Sequence, residues 1–188
     1  MRIIGGTLSG RKIEMPVGAD IRPTMDRVRE AMFNILAHRD WGKKIGAIFD
    51  GDVAVLDAFC GVGALAFEAL SWGARRATLF DKDAQALKTA RQNATTLDIT
   101  DKCQILAADA TQPPKNNGTP CKLVFFDPPY RKDLIPVAFK ALDEAGWIAP
   151  HALIVAETAK TERLETLPGC ELILARAYGE PMLHFMVR

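Results

Sequence analysis

From Val53 onward, short apolar runs alternate with stretches of helical periodicity, and this alternation limits the possible fold more than any other feature of the chain. The runs at 53–57, 77–81, 103–108, 122–127 and 152–156 read as strands, with helices between them at 64–72, 84–97 and 133–145. Such alternation builds βαβ units and a mainly parallel sheet of an α/β fold. The ending differs: runs at 170–177 and 182–187 flank Gly179-Glu180-Pro181 with no helix between them. The sheet is therefore expected to close on an antiparallel hairpin. At 188 residues, 48% of them hydrophobic, the chain suits one such domain with a single sizeable core. The polar stretch Thr111–Pro120 is a loop within it, with prolines, Asn116-Asn117 and Gly118 as breakers.

The residues before this domain have a different character. Two apolar-bearing pieces around Gly5-Gly6 and Gly10 suggest a small β-hairpin over 2–15. Thr24 then fits a helix N-cap, and Val28, Ala31, Met32, Ile35 and Leu36 form the stripe of an amphipathic helix whose other face carries Arg27, Glu30 and Asn34. Residues 1–44 hold nine basic and five acidic residues, a net of +4, whereas the remainder carries −3. A basic extension (1–44) on the α/β domain that follows (45–188) suits contact with phosphates. Cys60, Cys103, Cys121 and Cys170 lack CxxC spacing and the three histidines stand alone, so neither zinc nor a disulfide framework is expected. With no apolar run near the ~20 residues that span a bilayer and no signal-peptide pattern, a cytoplasmic protein is expected.

Chemistry concentrates at the carboxyl ends of the strands, where open α/β sheets bind ligands. Leu123-Val124-Phe125-Phe126 runs into Asp127-Pro128-Pro129-Tyr130. Two prolines hold the chain extended and leave carbonyls that no helix claims, so a carboxylate, free acceptors and an aromatic ring stand together. That set can hold a flat base by its amino group. Upstream, Asp57-Ala58-Phe59-Cys60-Gly61-Val62-Gly63 connects a strand to a helix, with glycines for a sharp turn and close approach of a ligand. With Ala66 in third place and Asp81 downstream, this also satisfies a dinucleotide fingerprint, so a nicotinamide-dependent oxidoreductase is a competing reading. Asp57 opposes it, because a negative charge beside the helix N-terminus repels a pyrophosphate. S-adenosylmethionine has no phosphate and carries two positive groups. Asp81 is then the candidate for the ribose hydroxyls, with Asp83 as runner-up, and Asp109 with the Ala110 backbone for adenine.

These motifs resemble a class I S-adenosylmethionine-dependent methyltransferase acting on an exocyclic amine. Arg2-Ile3-Ile4-Gly5-Gly6, Gly10-Arg11-Lys12 and Arg22-Pro23-Thr24-Met25-Asp26-Arg27-Val28-Arg29-Glu30 narrow it, since together they resemble the RsmD family of bacterial small-subunit ribosomal RNA methyltransferases. The resemblance spans almost the whole chain. It departs at Val62, where Ser or Thr is usual, and at Asp81, where Glu is common; neither removes a needed backbone or carboxylate group. It implies a Rossmann-like fold with a seven-stranded sheet and methylation of a guanine 2-amino group. Asp127, Pro128, Pro129 and Tyr130 would be catalytic. Cofactor contacts would be Asp57, Phe59, Cys60, Gly61, Gly63, Asp81, Lys82, Asp109, Ala110 and Asp127. Arg2, Arg11, Lys12, Arg22, Thr24 and Arg27 would touch RNA. The expected partner is ribosomal RNA within a partly assembled small subunit, met by a monomer without metal or membrane.

Three rivals remain in view. A DNA adenine amino-methyltransferase shares the tetrapeptide but usually carries a large recognition insertion, for which there is no room. A non-catalytic RNA-binding assembly module would not need Asp127, Gly61 and Gly63 intact. Carbon methylation of cytosine through Pro120-Cys121 fails on distance, since six strand residues separate Cys121 from Asp127 by roughly 20 Å.

Overall fold

The computed structural model describes residues 1–15, 23–42 and 45–188, with backbone alone for 23–25. In chain order the main elements are α1 (Pro23–His38), β1 (Ala54–Asp57), α2 (Ala64–Trp72), β2 (Arg76–Asp81), α3 (Ala84–Leu97), β3 (Cys103–Ala107), β4 (Cys121–Phe126), α4 (Leu134–Glu144), β5 (Ile148–Ala159), β6 (Glu171–Ala177) and β7 (Pro181–Val187). They form one seven-stranded sheet of order β3-β2-β1-β4-β5-β7-β6. The first five strands of that order run parallel, and β7 pairs antiparallel with both β5 and β6. After β3 the chain returns to the far side of β1 to lay down β4. That reversal opens a crevice at the carboxyl ends of β1 and β4.

Alternation along the strands assigns the two faces. Val55, Leu79, Leu123, Phe125 and Val155 pack with α1, α2, α3 and the amino-terminal arm, whereas Leu56, Phe80, Val124, Phe126 and Ile154 pack with α4. Ile3, Ile13, Val28, Met32, Phe33 and Leu36 belong to the first of these clusters, so the arm and α1 share a core with the sheet.

Most elements fall where the sequence puts them, and the differences have physical reasons. Strand β5 starts at Ile148, four residues early: Cys121 pairs with Ile148 but Leu123 with Leu153, an irregularity around Pro150-His151 that hides the first pairing. Helix α1 begins at Pro23, a residue suited to a first helical position, which puts Thr24 inside the first turn rather than at the cap. Arg22, the residue before it, lies outside the described residues, as does the Thr24 side chain.

The hairpin expected over 2–15 is present but short: Arg2 bridges Lys12 antiparallel, Ile3 N donates to the Arg11 carbonyl and Ile13 N to the Met1 carbonyl, both at 2.9 Å, and a 3-10 turn at Gly6–Leu8 lies between the two pieces. Its remaining amides go to helix side chains. Ile4 and Gly5 donate to Glu68, Leu8 to Ser71 Oγ, and Glu14 to Asn93 Oδ1. This explains Gly5-Gly6: a Cβ at either would collide with Trp72 or the Ser71 carbonyl. The glycines serve a close approach to α2 more than a turn.

Candidate active site

The glycine loop after β1 is held from both neighbouring strands. Gly63 adopts a left-handed φ of 89° against Phe67, where a Cβ has no room. The space over Gly61 is open, and its N–H donates to Asp81 Oδ2 at 2.8 Å. Asp81 Oδ1 accepts from Asp83 N at 2.9 Å, so this half-buried carboxylate braces the loop from the end of β2 while edging the crevice. Asp83 accepts from Gln85 N and Ala86 N as the N-cap of α3. The runner-up ribose ligand is thus a helix cap.

Asp109 also has local work. Its Oδ1 accepts from the amide and hydroxyl of Thr111, at 2.9 and 2.7 Å, and Oδ2 pairs with Lys82 Nζ at 3.2 Å. The Thr111 hydroxyl above all holds its carboxyl below the usual range. Ala110 is buried beside it and Phe59 is half-buried against Phe126. Burial, then the charges of Asp57 and Asp81, pushes the Cys60 thiol far above its ordinary range, so it serves as a packing residue and not as a nucleophile.

The crevice is strongly acidic. Asp57 is 1% exposed; Oδ2 accepts from Ala66 N at 3.2 Å while Oδ1 is buried with no hydrogen-bond partner among the described residues. Burial raises its pKa to about 7. Asp127 follows β4 directly, and burial, then Glu157, then Asp57 pushes its pKa well above the ordinary value. Glu157 escaped notice in the sequence because it sits inside a long strand with no motif around it. Parallel pairing of Phe126 with Ala156 brings the next residues, Asp127 just past β4 and Glu157 within β5, side by side. Glu157 Oε1 accepts from the Tyr130 hydroxyl at 2.6 Å, and burial raises its pKa as well.

A cavity of about 300 Å³ opens beside this group, walled by Pro128, Pro129, Tyr130, Glu157 and Thr158 on the sheet side and by the segment after β5 on the other. Glu162 ties the walls together, accepting from Arg131 N and Ala159 N at 2.5 and 2.7 Å. Arg2, Arg11 and Lys12 on the arm and Arg27 on α1 are all exposed; Arg2 donates to the Gly10 carbonyl at 2.7 Å, and the Arg11 guanidinium donates to the Leu97 and Thr96 carbonyls at the end of α3. Arg11 is an anchor of the arm rather than a free charge for RNA. Lys12 pairs with Glu14 at 2.9 Å. The sequence reading passed over Arg29, Glu68 and Asn93, which are buried; Asn93 Nδ2 joins the Glu14 carbonyl of the arm to the Val62 carbonyl of the glycine loop.

Sheet order, glycine loop and the tetrapeptide at the switch point define a class I methyltransferase with a Rossmann-like fold. The chain matches the family described as "Conserved hypothetical protein 95" over residues 1–187 and belongs to it, the RsmD family to which the motifs pointed. It is 38% identical over 169 residues to Ribosomal RNA small subunit methyltransferase D of Escherichia coli strain K12, covering 90% of this chain and 80% of that one. The protein of the same name from Haemophilus influenzae is 32% identical over 183 residues, 95% and 89% of the two chains. The solved structure of yhhF from Escherichia coli gives a TM-score of 0.82 at 36% identity, covering 100% of this chain and 97% of that one. TrmN from Thermus thermophilus, at 22% identity and a TM-score of 0.63 over 86% of this chain and 48% of that one, shares the fold.

Proposed function

We propose that the chain transfers a methyl group from S-adenosylmethionine to the 2-amino group of a guanine in small-subunit ribosomal RNA. The observation that carries this reading is Asp127-Pro128-Pro129-Tyr130 at the switch point, between the glycine loop and a cavity of base size. The names of the relatives supply the RNA.

The residues present fit S-adenosylmethionine better than a dinucleotide. Asp57 already takes the Ala66 amide, one of the N-terminal donors of α2 that a pyrophosphate would need, and adds a carboxylate there. Its unpartnered oxygen and the neighbouring Asp81 and Asp127 favour a cationic ligand without phosphate. Asp57 would face its positive groups, Asp81 the ribose, and Phe59 and Ala110 the adenine. When bound, the cofactor supplies an electrophilic methyl on a sulfonium that is already a good leaving group.

What remains for the protein is placement. A guanine amino lone pair is delocalised into the ring, and hydrogen bonds from its two protons to the Asp127 carboxylate and the Pro128 carbonyl favour a pyramidal nitrogen aimed at the methyl. The nitrogen gains the methyl and loses one proton. Asp127 is the acceptor, since burial and two neighbouring carboxylates make it a stronger base than an ordinary aspartate. Tyr130, pinned through its hydroxyl, offers its ring to a base swung out of its helix.

The substrate is RNA already folded in a partly assembled small subunit, and the enzyme acts as a monomer. The arm offers few free charges, so affinity for naked RNA is modest and falls with salt along a shallow slope. Labelled methyl transfer followed by nucleoside analysis tests the reaction: 2-methylguanosine is expected, and any other methylated nucleoside overturns the reading. Initial rates on protein-free RNA, assembly intermediates and mature subunits test the substrate form, with faster methylation of protein-free RNA deciding against it.

A further inference from the structure

We propose that Glu157 selects guanine, accepting the ring N1–H while the adjacent Asp127 accepts the 2-amino group. The proposal rests on the reaction proposed above and adds the residue that reads the base. Guanine is the common RNA base whose pairing edge presents two adjacent donors, the N1–H and the 2-amino group. Two carboxyl groups side by side are the complement of that edge.

The register supplies the pair. With Phe126 opposite Ala156, Asp127 just past the end of β4 falls beside Glu157, still within β5, at strand spacing of about 4.8 Å. Glu157 lines the cavity itself, and Asp127 stands directly before the wall residues Pro128, Pro129 and Tyr130. Glu157 is prepared for contact. Oε1 accepts from the Tyr130 hydroxyl, which ties the carboxyl to the ring, while Oε2 has no hydrogen bond among the described residues. In the proposed pose a base stacked on Tyr130 turns its pairing edge toward Glu157. Lys132 and Arg163, exposed at the same cavity, suit the phosphates flanking an extruded nucleotide.

Rejection follows from the same geometry. Adenine and 2-aminopurine both present a lone pair at N1, so the acceptor Glu157 would face an acceptor and lose its partner. Sites built to pair a substrate N–H discriminate strongly against analogues that lack it. A residue that merely holds Tyr130 in place would slow all bases alike. That difference separates the two roles.

The test uses RNA with guanine or 2-aminopurine at the methylated position, since 2-aminopurine keeps the 2-amino group and lacks the N1–H. For the unaltered enzyme, kcat/KM is expected to favour guanine by about a hundredfold or more. Glu157→Gln can turn its amide N–H to the N1 lone pair, so its preference should narrow at least about tenfold, with cofactor affinity by calorimetry unchanged. A wild-type preference within about threefold of unity overturns the assignment, as does a Glu157→Gln enzyme slowed equally on both RNAs. If that variant does not fold, the wild-type ratio, together with inhibition by guanosine monophosphate against 2-aminopurine riboside monophosphate, decides: equal inhibition overturns it. Failure of the underlying reaction is a separate readout, the absence of 2-methylguanosine from the wild-type product.

Discussion

Two buried carboxylates, Glu68 on α2 and Asp57 at the end of β1, are handled in opposite ways. Glu68 is 0% exposed and fully engaged: Ile4 N, Gly5 N and Trp72 Nε1 donate to it, and Arg29 Nε lies 3.5 Å from Oε2. Asp57 has one amide donor, an orphaned oxygen and further carboxylates nearby. A buried charge left short of partners is costly, and a fold keeps such a site where a ligand completes it. The first carboxylate holds the arm to the domain. The second holds charge in readiness at the crevice.

The sharpest way to break this contrast is at Asp127, on the ready side. Asp127→Ala should lower methyl transfer by about a thousandfold while weakening cofactor binding far less and without loss of stability, checked by a transfer assay, calorimetry and thermal unfolding. Retained turnover would remove the tetrapeptide from the chemistry. Next comes Glu68→Ala, which strands Arg29 and the arm amides. It should cost about 3–5 kcal/mol and lower the melting temperature by roughly 10 °C. An unchanged melting temperature would show that the arm is not held there. Deleting the arm would expose the same groups, so loss of RNA methylation after truncation would report destabilisation as much as lost RNA contact.

Asp57→Asn should go the other way. The carboxyl has a pKa of about 7 in the fold against 3.8 for the ordinary group, so between those values the native state binds a proton that the unfolded chain has released. Its contribution to stability is therefore lost as pH rises from about 4 to 7 and stays flat above. The asparagine variant lacks this slope and should be more stable than the parent at pH 8 by about 1–3 kcal/mol, with weaker cofactor binding. Parallel pH profiles in urea unfolding would sink this account. The smallest effect belongs to Tyr130→Phe, which keeps the ring and loses the bond to Glu157: about 0.5–1.5 kcal/mol in kcat/KM. Damage as large as that of Tyr130→Ala would assign the hydroxyl a direct part.

Legibility in the sequence tracked how local each signal was. The glycine loop, α3, the tetrapeptide and the closing hairpin were readable because periodicity and turn chemistry act over a few residues. Thr24 misled because Pro23 is itself a good first helical residue. Asp83 and Asp109 were read as ligands by their strand-end positions, and only the structure shows the amides and hydroxyl they already serve.

The chain by itself determined the alternating architecture, the acidic strand ends and the family, because each is written in contiguous residues. Tertiary structure decided which charges are free. Glu157 lies 30 residues from Asp127 and Glu68 more than 60 from Ile4. Their meanings come from strand register and from an arm folded back across a helix, contacts that bring distant residues together without marking either segment.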